Sequence, residues 1–336
     1  MTYKEVKIWI KVMALILAVP FFSSCDNPVE ELVGNWVELS DFDGLPRADA
    51  AGFVIGGKAY VGTGYDGDNF HTDFWEYDPA RNSWTQKADF PGTARSQAVA
   101  FNSDTKGFIG TGWDGRYRLK DFFQYDPASN TWSPIAEFGG PARRSAVAMS
   151  INNKGYVGTG DSVAYFKDFW EYDPSSDIWT KVSSIGGSKR NSAVTFVIGG
   201  KGYVSGGIDN GDYLNDMWRY DPSTDVWDKM RPIANVSNEI YDDDYTTIKG
   251  TGKVGFSING KGYLATGGQT TGTDVWEYDP ATDLWSEKSN FEGSNRSDGV
   301  GFAIGNRGYV TMGKGSTYYF DDIWAFDPDA VMNEDD

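Results

Sequence analysis

The sequence predicts an all-β fold, a six-bladed β-propeller of four-stranded antiparallel blades, closed by an N-terminal strand that completes the last blade. Three observations support this prediction. One unit recurs six times along the 336 residues, and turn-forming and aromatic residues are abundant, with 41 Gly, 13 Trp, 19 Tyr and 20 Phe. A strand-like segment before the first unit supplies what the sixth unit lacks. Repeats of this length built from short strands are typical of propellers.

The repeat is anchored on a (Tyr/Phe)-Asp-Pro tripeptide. A second Asp lies five residues before each Asp-Pro aspartate, and a Trp or Phe lies two residues after that second Asp. A Gly-rich apolar segment precedes this pair, and another Trp usually follows the tripeptide. Each unit therefore predicts four strands, a to d, with Asp-Pro in the c–d turn, where proline presets φ and aspartate bonds the backbone ahead of it. The tripeptides, spaced by 48, 47, 48, 58 and 48 residues, begin at Tyr77, Tyr125, Tyr172, Tyr220, Tyr278 and Phe326.

The chain ends predict how the ring closes. The sixth unit has no final Trp, because only an acidic tail follows Pro328. Trp36 stands 11 residues before Arg47, the same offset that separates Trp84 from Arg95. The segment around Trp36 is therefore predicted to be strand d of the last blade, which leaves no open sheet edge. Residues 34–329 form one propeller domain in this interpretation, and residues 330–336 form the tail.

These motifs resemble the kelch repeat, which has an Arg opening strand a, a Gly pair closing strand b, the Tyr-Asp-Pro turn and a Trp in the last strand. The resemblance covers residues 35–328. The Gly pair is kept only at Gly206-Gly207 and Gly267-Gly268, whereas units 1 to 3 have Thr-Gly and unit 6 has Met-Gly. The resemblance implies a propeller, and kelch propellers often act as binding modules.

The N-terminus predicts export. Three lysines precede an apolar run over residues 12–22, which is the layout of a secretory signal and is too short to span a bilayer. Residues 22–25, Phe-Ser-Ser-Cys, resemble a bacterial lipoprotein box. We expect residues 1–24 to be a signal peptide, residues 25–33 a tether, and Cys25 a lipid attachment site in the bacterial cell envelope. The membrane would then be contacted only through this lipid.

Composition excludes several classes of function. The net charge is −18, and it becomes −20 after removal of residues 1–24, which argues against nucleic-acid binding. One cysteine and one histidine, His71, exclude internal disulfides and His-only zinc sites. The acidic loops lack the Glu that a calcium-binding EF-hand needs at position twelve. A copper radical oxidase of the galactose oxidase kind, which also has a kelch propeller, uses a site with two histidines and a cysteine crosslinked to a tyrosine. The single histidine of this sequence argues against that class. We therefore expect no metal and no cofactor.

The repeat also separates scaffold from candidate binding residues, since a residue type that recurs in most blades serves packing. Trp113, in the b–c loop of blade 2, is the one mature-chain Trp outside the repeat positions. In antiparallel blades the b–c and d–a connections emerge on the same face, so residues left over from the repeat should meet there. The candidate ligand-binding residues on this face are Trp113, Arg116, Tyr117, Tyr65, Tyr318 and, from a longer linker at residues 235–250, Tyr241 and Tyr245.

A ring of arginines opens strand a in five blades and could either hold a ligand carboxylate or pair with the protein's own acids. Pairing is the favoured interpretation, because the arginines recur and ligands seldom have six-fold symmetry. Blade 5 has Lys249 or Lys253 nearby instead. The arginines assigned to this ring are Arg47, Arg95, Arg144, Arg190 and Arg296.

Two functions remain open. The favoured one is a non-catalytic binding module that presents the loop face to a protein or glycan. The alternative is a periplasmic sugar isomerase, because six-bladed kelch-like proteins of the bacterial periplasm include the sialic acid mutarotase. Glu239 would then transfer the proton and Arg190 or Arg296 would take the carboxylate. Anomer exchange followed by NMR, with and without protein, separates the two classes.

We predict that Cys25 carries a lipid in the mature protein, because small residues precede it and it has no partner thiol. Mass spectrometry of the mature N-terminus should find a chain beginning at Cys25 with an added acyl mass. A mature chain with an unmodified N-terminus at another residue would contradict this prediction.

Overall fold

The computed structural model describes residues 32–269 and 272–333. The predicted signal peptide, Cys25 and most of the tether lie outside the described residues. Six four-stranded antiparallel sheets follow one another along the chain, each with the strand order a-b-c-d. The contacts place strand a of each blade beside strand a of its neighbours, so these six strands surround the central channel. The predicted six-bladed propeller is confirmed.

Strands a and b form hairpins with short turns. In blade 1 the two turn residues, Gly56 and Gly57, have φ of +60° and +76°, as a tight hairpin turn of this type requires. Strands a are Ala51–Ile55, Val99–Asn102, Val147–Ile151, Val194–Ile198, Val254–Ile258 and Val300–Ile304. Strands b are Lys58–Gly62, Gly107–Gly110, Lys154–Gly158, Lys201–Ser205, Lys261–Ala265 and Arg307–Thr311.

Strands c and d complete each blade. Strands c are Phe74–Asp78, Phe122–Asp126, Phe169–Asp173, Met217–Asp221, Val275–Asp279 and Ile323–Val331. Strands d are Ser83–Gln86, Thr131–Pro134, Ile178–Val182, Val226–Lys229, Leu284–Lys288 and, for blade 6, the N-terminal Val33–Glu38. A two-residue hairpin, Ile208–Asp209 with Asp212–Tyr213, and a 3-10 turn, Ile240–Asp242, are the further elements of the described chain.

The Tyr-Asp-Pro turn is built from two recurring hydrogen bonds. In blade 1 the buried Tyr77 donates its hydroxyl to Asn82 Oδ1 at 2.8 Å, and Asp78 Oδ1 accepts the Ala80 N–H at 3.0 Å. Asn82 has a left-handed φ of +47°, a conformation that Asn and Asp tolerate. Equivalent tyrosine bonds in blades 2 to 5 measure 2.8–2.9 Å. The tripeptide therefore satisfies a buried hydroxyl and closes the turn at the same time.

The channel is narrow because small residues let neighbouring strands a approach closely. A Cβ atom at Gly52 would lie 2.8 Å from Val300 Cγ1 of the adjacent blade. Between the blades, the core is aromatic: Phe101 stacks on Phe108 with centroids 4.8 Å apart, and Trp179 of the next blade lies against Phe122 at 5.0 Å. Each blade thus buries its sheet faces against its two neighbours.

The ring closes as predicted, through Trp36. The N-terminal strand pairs antiparallel with Ile323–Val331. The outermost pair joins Val33 to Val331, which lies two residues beyond the expected end of the domain. Trp36 is fully buried, stacked on Phe326 at 4.6 Å and edge-on to Phe291 at 4.9 Å. The two ends of the propeller are therefore joined by both backbone pairing and packing.

We predict that loss of this closing strand destabilises the whole ring. A chain starting at Leu32 should melt like the intact protein, whereas a chain starting at Asp41 should melt much lower, since blade 6 would keep three strands and an open edge. Trp36→Ala alone should cost about 3–5 kcal/mol of unfolding free energy, as expected for a large buried aromatic. Thermal melting followed by circular dichroism measures both. Equal melting of the two truncated chains would show that the ring closes another way.

Candidate functional site

Every b–c and d–a connection emerges at one end of the channel, here called the top face. The second residue before strand a adopts a left-handed φ of +49° to +66° in all six blades. Five of these residues donate their N–H to the carbonyl of a neighbour in the set, at 2.8–3.2 Å. The resulting collar lines the channel mouth and consists of Asp49, Gln97, Ser145, Ser192, Gly252 and Asp298.

Five buried ion pairs support this collar from below. In blade 2, Arg95 is fully buried and binds Asp121 through both terminal nitrogens, at 2.6 and 2.8 Å, while also donating to the Thr93 and Thr111 carbonyls. All five guanidinium groups make the same set of bonds and have no exposed surface. The pairs are Arg47–Asp73, Arg95–Asp121, Arg143–Asp168, Arg190–Asp216 and Arg296–Asp322.

The pairs also fix the charge of the acids. Burial by itself would raise the pKa of Asp73, but the hydrogen bonds and charge of Arg47 outweigh it, so the pKa lies below its usual value. The same balance lowers the pKa of Asp168 beside Arg143 and of Asp216 beside Arg190. These carboxylates are therefore charged and paired across the neutral range, and they serve the scaffold.

The blade 3 assignment in the arginine ring was wrong. In blade 3, Arg143 forms the ion pair that the other arginines form in their blades. Arg144 is not part of this set, and its guanidinium lies 5.0 Å over the indole of Trp113. The offset of 11 residues that separates Trp84 from Arg95 leads from Trp132 to Arg143, so the sequence contained the signal. Because Arg143 makes the scaffold ion pair of blade 3, Arg144 is not needed for it and becomes a candidate functional residue.

A second ring, here called the rim, lies outside the collar. Each rim residue forms an isolated antiparallel bridge with the residue that follows the strand-a arginine or its counterpart. Chemical variety distinguishes the rim from the scaffold, because aromatic, acidic, aliphatic and basic residues occupy equivalent places. The rim consists of Tyr65, Trp113, Asp161, Ile208, Gly268 and Lys314.

An arginine cluster occupies the rim at blades 2 to 4. Asp161 Oδ2 accepts hydrogen bonds from Arg118 Nη2 and Arg144 Nε, both at 3.4 Å, and Oδ1 accepts Asn191 Nδ2 at 2.9 Å. Trp113 lies beneath Arg144 and meets Phe70 edge-on at 5.6 Å. Two cations share one anion here, so the cluster carries a net positive charge within an acidic protein.

An acidic cluster lies across the channel mouth, at blades 6 and 1. Lys314 Nζ lies 3.3 Å from Asp49 Oδ2 and 3.1 Å from Asp298 Oδ2. Burial, and then the charge of Asp298, raise the pKa of Asp49 to about 6, although Lys314 opposes the shift. Burial would lower the pKa of Lys314, but the two acids outweigh it and raise the pKa. Asp49 can therefore exchange a proton near neutral pH.

Comparisons with known proteins agree with this geometry. A model described as the KLHDC2/KLHL20/DRC7 Kelch-repeats domain matches residues 140–295, and the Kelch motif matches residues 46–91 and 112–139. The chain is a kelch-repeat β-propeller. A solved structure titled "Structure of YjhT" superposes with a TM-score of 0.72 at 18% identity, covering 85% of this chain and 95% of that one. This likeness shows the fold. No curated protein matches the sequence.

The kelch propeller places four of the predicted aromatic residues in two environments. Trp113 and Tyr65 are half-buried on the rim, and Tyr65 donates its hydroxyl to the Gly67 carbonyl. Tyr117 and Tyr318 are 56% and 72% exposed on b–c loop tips. Arg116, also exposed, lies 4.9 Å over the Tyr117 ring.

The insertion at residues 235–250 is mostly scaffold. Tyr245 is buried, and its hydroxyl accepts the Trp285 N–H at 2.7 Å, so its assignment as a ligand-binding residue is corrected. This packing joins positions 40 residues apart, which the repeat pattern does not reveal. Tyr241 is half-buried beneath Arg231, whose guanidinium lies 4.5 Å from its ring. Its ring is therefore engaged within the protein.

The residues of the isomerase alternative do not come together. Arg190 and Arg296 are fully buried, and their donors are taken by Asp216, Asp322 and main-chain carbonyls, so neither can take a substrate carboxylate. Glu239 is exposed at the start of the 3-10 turn. His71 bonds Asp66 at 2.9 Å.

Within residues 32–269 and 272–333, no group of three or more His, Cys, Asp or Glu side chains is placed to hold a metal ion. No helix in the same part of the chain is long and apolar enough to cross a membrane.

Blade 5 of the kelch propeller departs most from the repeat. Lys253, not Lys249, takes over one scaffold contact there, since its ammonium group donates to the Thr266 carbonyl at 3.1 Å, as the arginines do to the equivalent carbonyl. Among the described residues no acid lies within ion-pair distance of it. Burial consequently lowers the pKa of Lys253 to about 8, with only partial opposition from Asp274.

We predict that Lys253→Met stabilises the protein at pH 7 by about 1–2 kcal/mol, less than the full pKa shift implies because solvent screens a half-buried group. Below pH 8 the lysine is protonated in both the folded and the unfolded state, and its poorly compensated charge destabilises the folded state. The gain should fade as pH rises from about 8 towards the ordinary lysine pKa of 10.5. Urea unfolding across this range measures it, with Lys189→Met, at an exposed position, as control. A gain that is constant with pH would contradict the account.

Proposed function

We propose that this kelch propeller is a non-catalytic binding module that presents its top face to a protein or glycan. The observation that carries the proposal is the arginine cluster with Trp113. Scaffold residues recur from blade to blade, yet this cluster occurs once, at rim positions where other blades have unrelated residues. Side chains that the fold does not require are the candidates for recognition.

The composition of this region suits a binding surface. A half-buried Trp with planar arginines beside it is the kind of group that dominates binding energy at interfaces. Tyr117 and Arg116, on the tip of the same b–c loop, add an exposed ring and a cation next to it. Polar side chains of the collar, such as Gln97, Ser145 and Ser192, continue the surface towards the channel mouth.

Binding is preferred to catalysis because the residues of the alternative are unsuitable. The two arginines assigned to a substrate are buried in ion pairs, and Glu239 stands exposed on the insertion. We further propose that lipid on Cys25 anchors the module in the bacterial cell envelope, so that the propeller acts on partners near that membrane. The support for this part is the signal-like N-terminal sequence.

We predict that Trp113→Ala weakens binding by about 2 kcal/mol or more, because Trp113 supports Arg144 and contributes its own surface. The intact protein would be tested on arrays of oligosaccharides and of short peptides, and the affinity of the strongest binder measured for each variant. Tyr117→Ala should also weaken binding, and its exposed position leaves folding intact.

Arg81→Ala is the matched control, since Arg81 is exposed on the c–d turn of blade 1, at the opposite face. It should bind like the unmodified protein, and all variants should melt alike. If Trp113→Ala lowers the melting temperature while Trp113→Ala and Tyr117→Ala both keep full affinity, the top face at blade 2 is packing and the proposal fails.

A further inference from the structure

The arginine cluster differs from the scaffold ion pairs in how its charges are balanced. Each scaffold arginine has its own carboxylate, held through two bonds, typically of 2.5–2.8 Å. Arg118 and Arg144 instead share Asp161, each through one contact of 3.4 Å. We propose that Arg118 and Arg144 form a binding site for the carboxylate group of a small organic acid.

The two guanidinium groups have donors to spare. A guanidinium carries five N–H donors, and charge-assisted bonds to carboxylates normally measure about 2.7–2.9 Å. Arg118 Nε is buried and, within the described chain, has no hydrogen-bond partner. The side chains are 32% and 28% exposed, so their remaining donors can reach a ligand from solvent. Asp161, 8% exposed, holds both in place and neutralises only one.

The fold does not need this pair of cations. The place of Arg118 in the b–c hairpin is taken in three other blades by Phe70, Tyr165 and Tyr319. The place of Arg144 is taken by Ala48 in blade 1 and Ser96 in blade 2. Small and aromatic residues therefore satisfy the architecture at both positions. The arginines are additional to it, and they stand beside each other only in blades 2 and 3.

Packing holds the pair ready for a planar anion. Trp113 supports Arg144 from one side at 5.0 Å, and the edge of Phe70 supports Trp113 in turn. Asn191 Nδ2 fixes Asp161 from the neighbouring blade. A guanidinium immobilised in this way loses little side-chain entropy when it binds, and its fork matches the geometry of a carboxylate.

Electrostatics orient the ligand on the top face. Blade 3 lies opposite blade 6, so the cluster faces the acids Asp49 and Asp298 across the channel mouth. A carboxylate is repelled from that side and attracted to Arg118 and Arg144. The uncharged part of the acid then lies over the collar, where Gln97 and Ser145 offer hydrogen bonds. This inference rests on the proposed function, since it names the chemistry of one contact on the same face.

The test uses matched ligands that differ in charge. D-glucuronate and its uncharged methyl ester represent a sugar acid, and N-acetylglutamate and its diamide represent an acidic amino acid. Binding to the intact protein is followed through the side-chain Nε–Hε NMR signals of the arginines. We expect at least one acid to shift the signals of Arg118 and Arg144, with its uncharged partner at least tenfold weaker. Whichever acid binds more tightly identifies the source of the carboxylate.

Variants separate recognition from structure. Arg118→Gln and Arg144→Gln should each weaken binding of the acid about tenfold, and Arg81→Gln should leave it unchanged. Asp161→Asn should strengthen it about threefold or more, because it removes the competing carboxylate. A merely structural cluster would not gain affinity from that change. Equal binding of charged and uncharged ligands, or unchanged binding by both glutamine variants, overturns the inference.

The outcomes also distinguish this inference from the proposed function. An array partner that needs Trp113 but binds equally well to Arg118→Gln and Arg144→Gln would leave the binding module standing and refute the carboxylate site. If acids bind at the two arginines but Trp113→Ala loses no array partner, the carboxylate site stands and the binding module is refuted.

Discussion

The buried arginine–aspartate pair is the interaction on which the top face depends. Its guanidinium ties together the end of strand b, the start of strand c and the d–a connection, through a carboxylate and two main-chain carbonyls. A buried charge is tolerable only when its donors are satisfied, so these bonds fix the relative positions of three segments. The collar residue follows two positions after the arginine, which sets where the channel mouth lies.

This anchoring explains why the neighbouring positions are free to vary. Once the arginine has fixed the backbone, the rim residue needs only its two main-chain hydrogen bonds, such as those between Trp113 and Ser96. The fold does not dictate which type of side chain stands there. The rim is therefore where a kelch propeller can acquire specificity, and the contrast between Trp113, Asp161 and Lys314 at equivalent places illustrates it.

The sequence predicted the blades, the closing strand and the face on which the b–c and d–a connections emerge, because these follow from local repeats. It also favoured pairing of the strand-a arginines with the protein's own acids, which the structure confirms. One error was non-local and the other was local. Tyr245 packs against main chain 40 residues away, and no periodicity reveals that contact. Arg144 was assigned to the scaffold although the repeat offset leads to Arg143, so closer use of the repeat would have freed it.

The proposed site lies where the symmetry breaks, and the sequence alone could not assemble it. Two blades contribute to it: Arg118 comes from blade 2, and Arg144 and Asp161 come from blade 3. Isolated β-bridges on the top face bring these three side chains together. Lys253 is the opposite case. It replaces the scaffold arginine in blade 5 but makes only one of that arginine's contacts, and burial lowers its pKa. A single departure from the repeat is thus not evidence of function by itself; unsatisfied donors and exposure decide.

The ring arginines hold the top face together, and a double-mutant cycle on Arg95 and Asp121 tests this role most directly. This pair is the cleanest, since Phe123 stands where the other four pairs have a Trp that donates to the aspartate. Arg95→Met should cost about 2–4 kcal/mol of unfolding free energy, and adding Asp121→Leu should recover part of it, because no uncompensated charge remains. If Arg95→Met costs less than about 0.5 kcal/mol, or the two losses simply add, the pair does not hold the top face together.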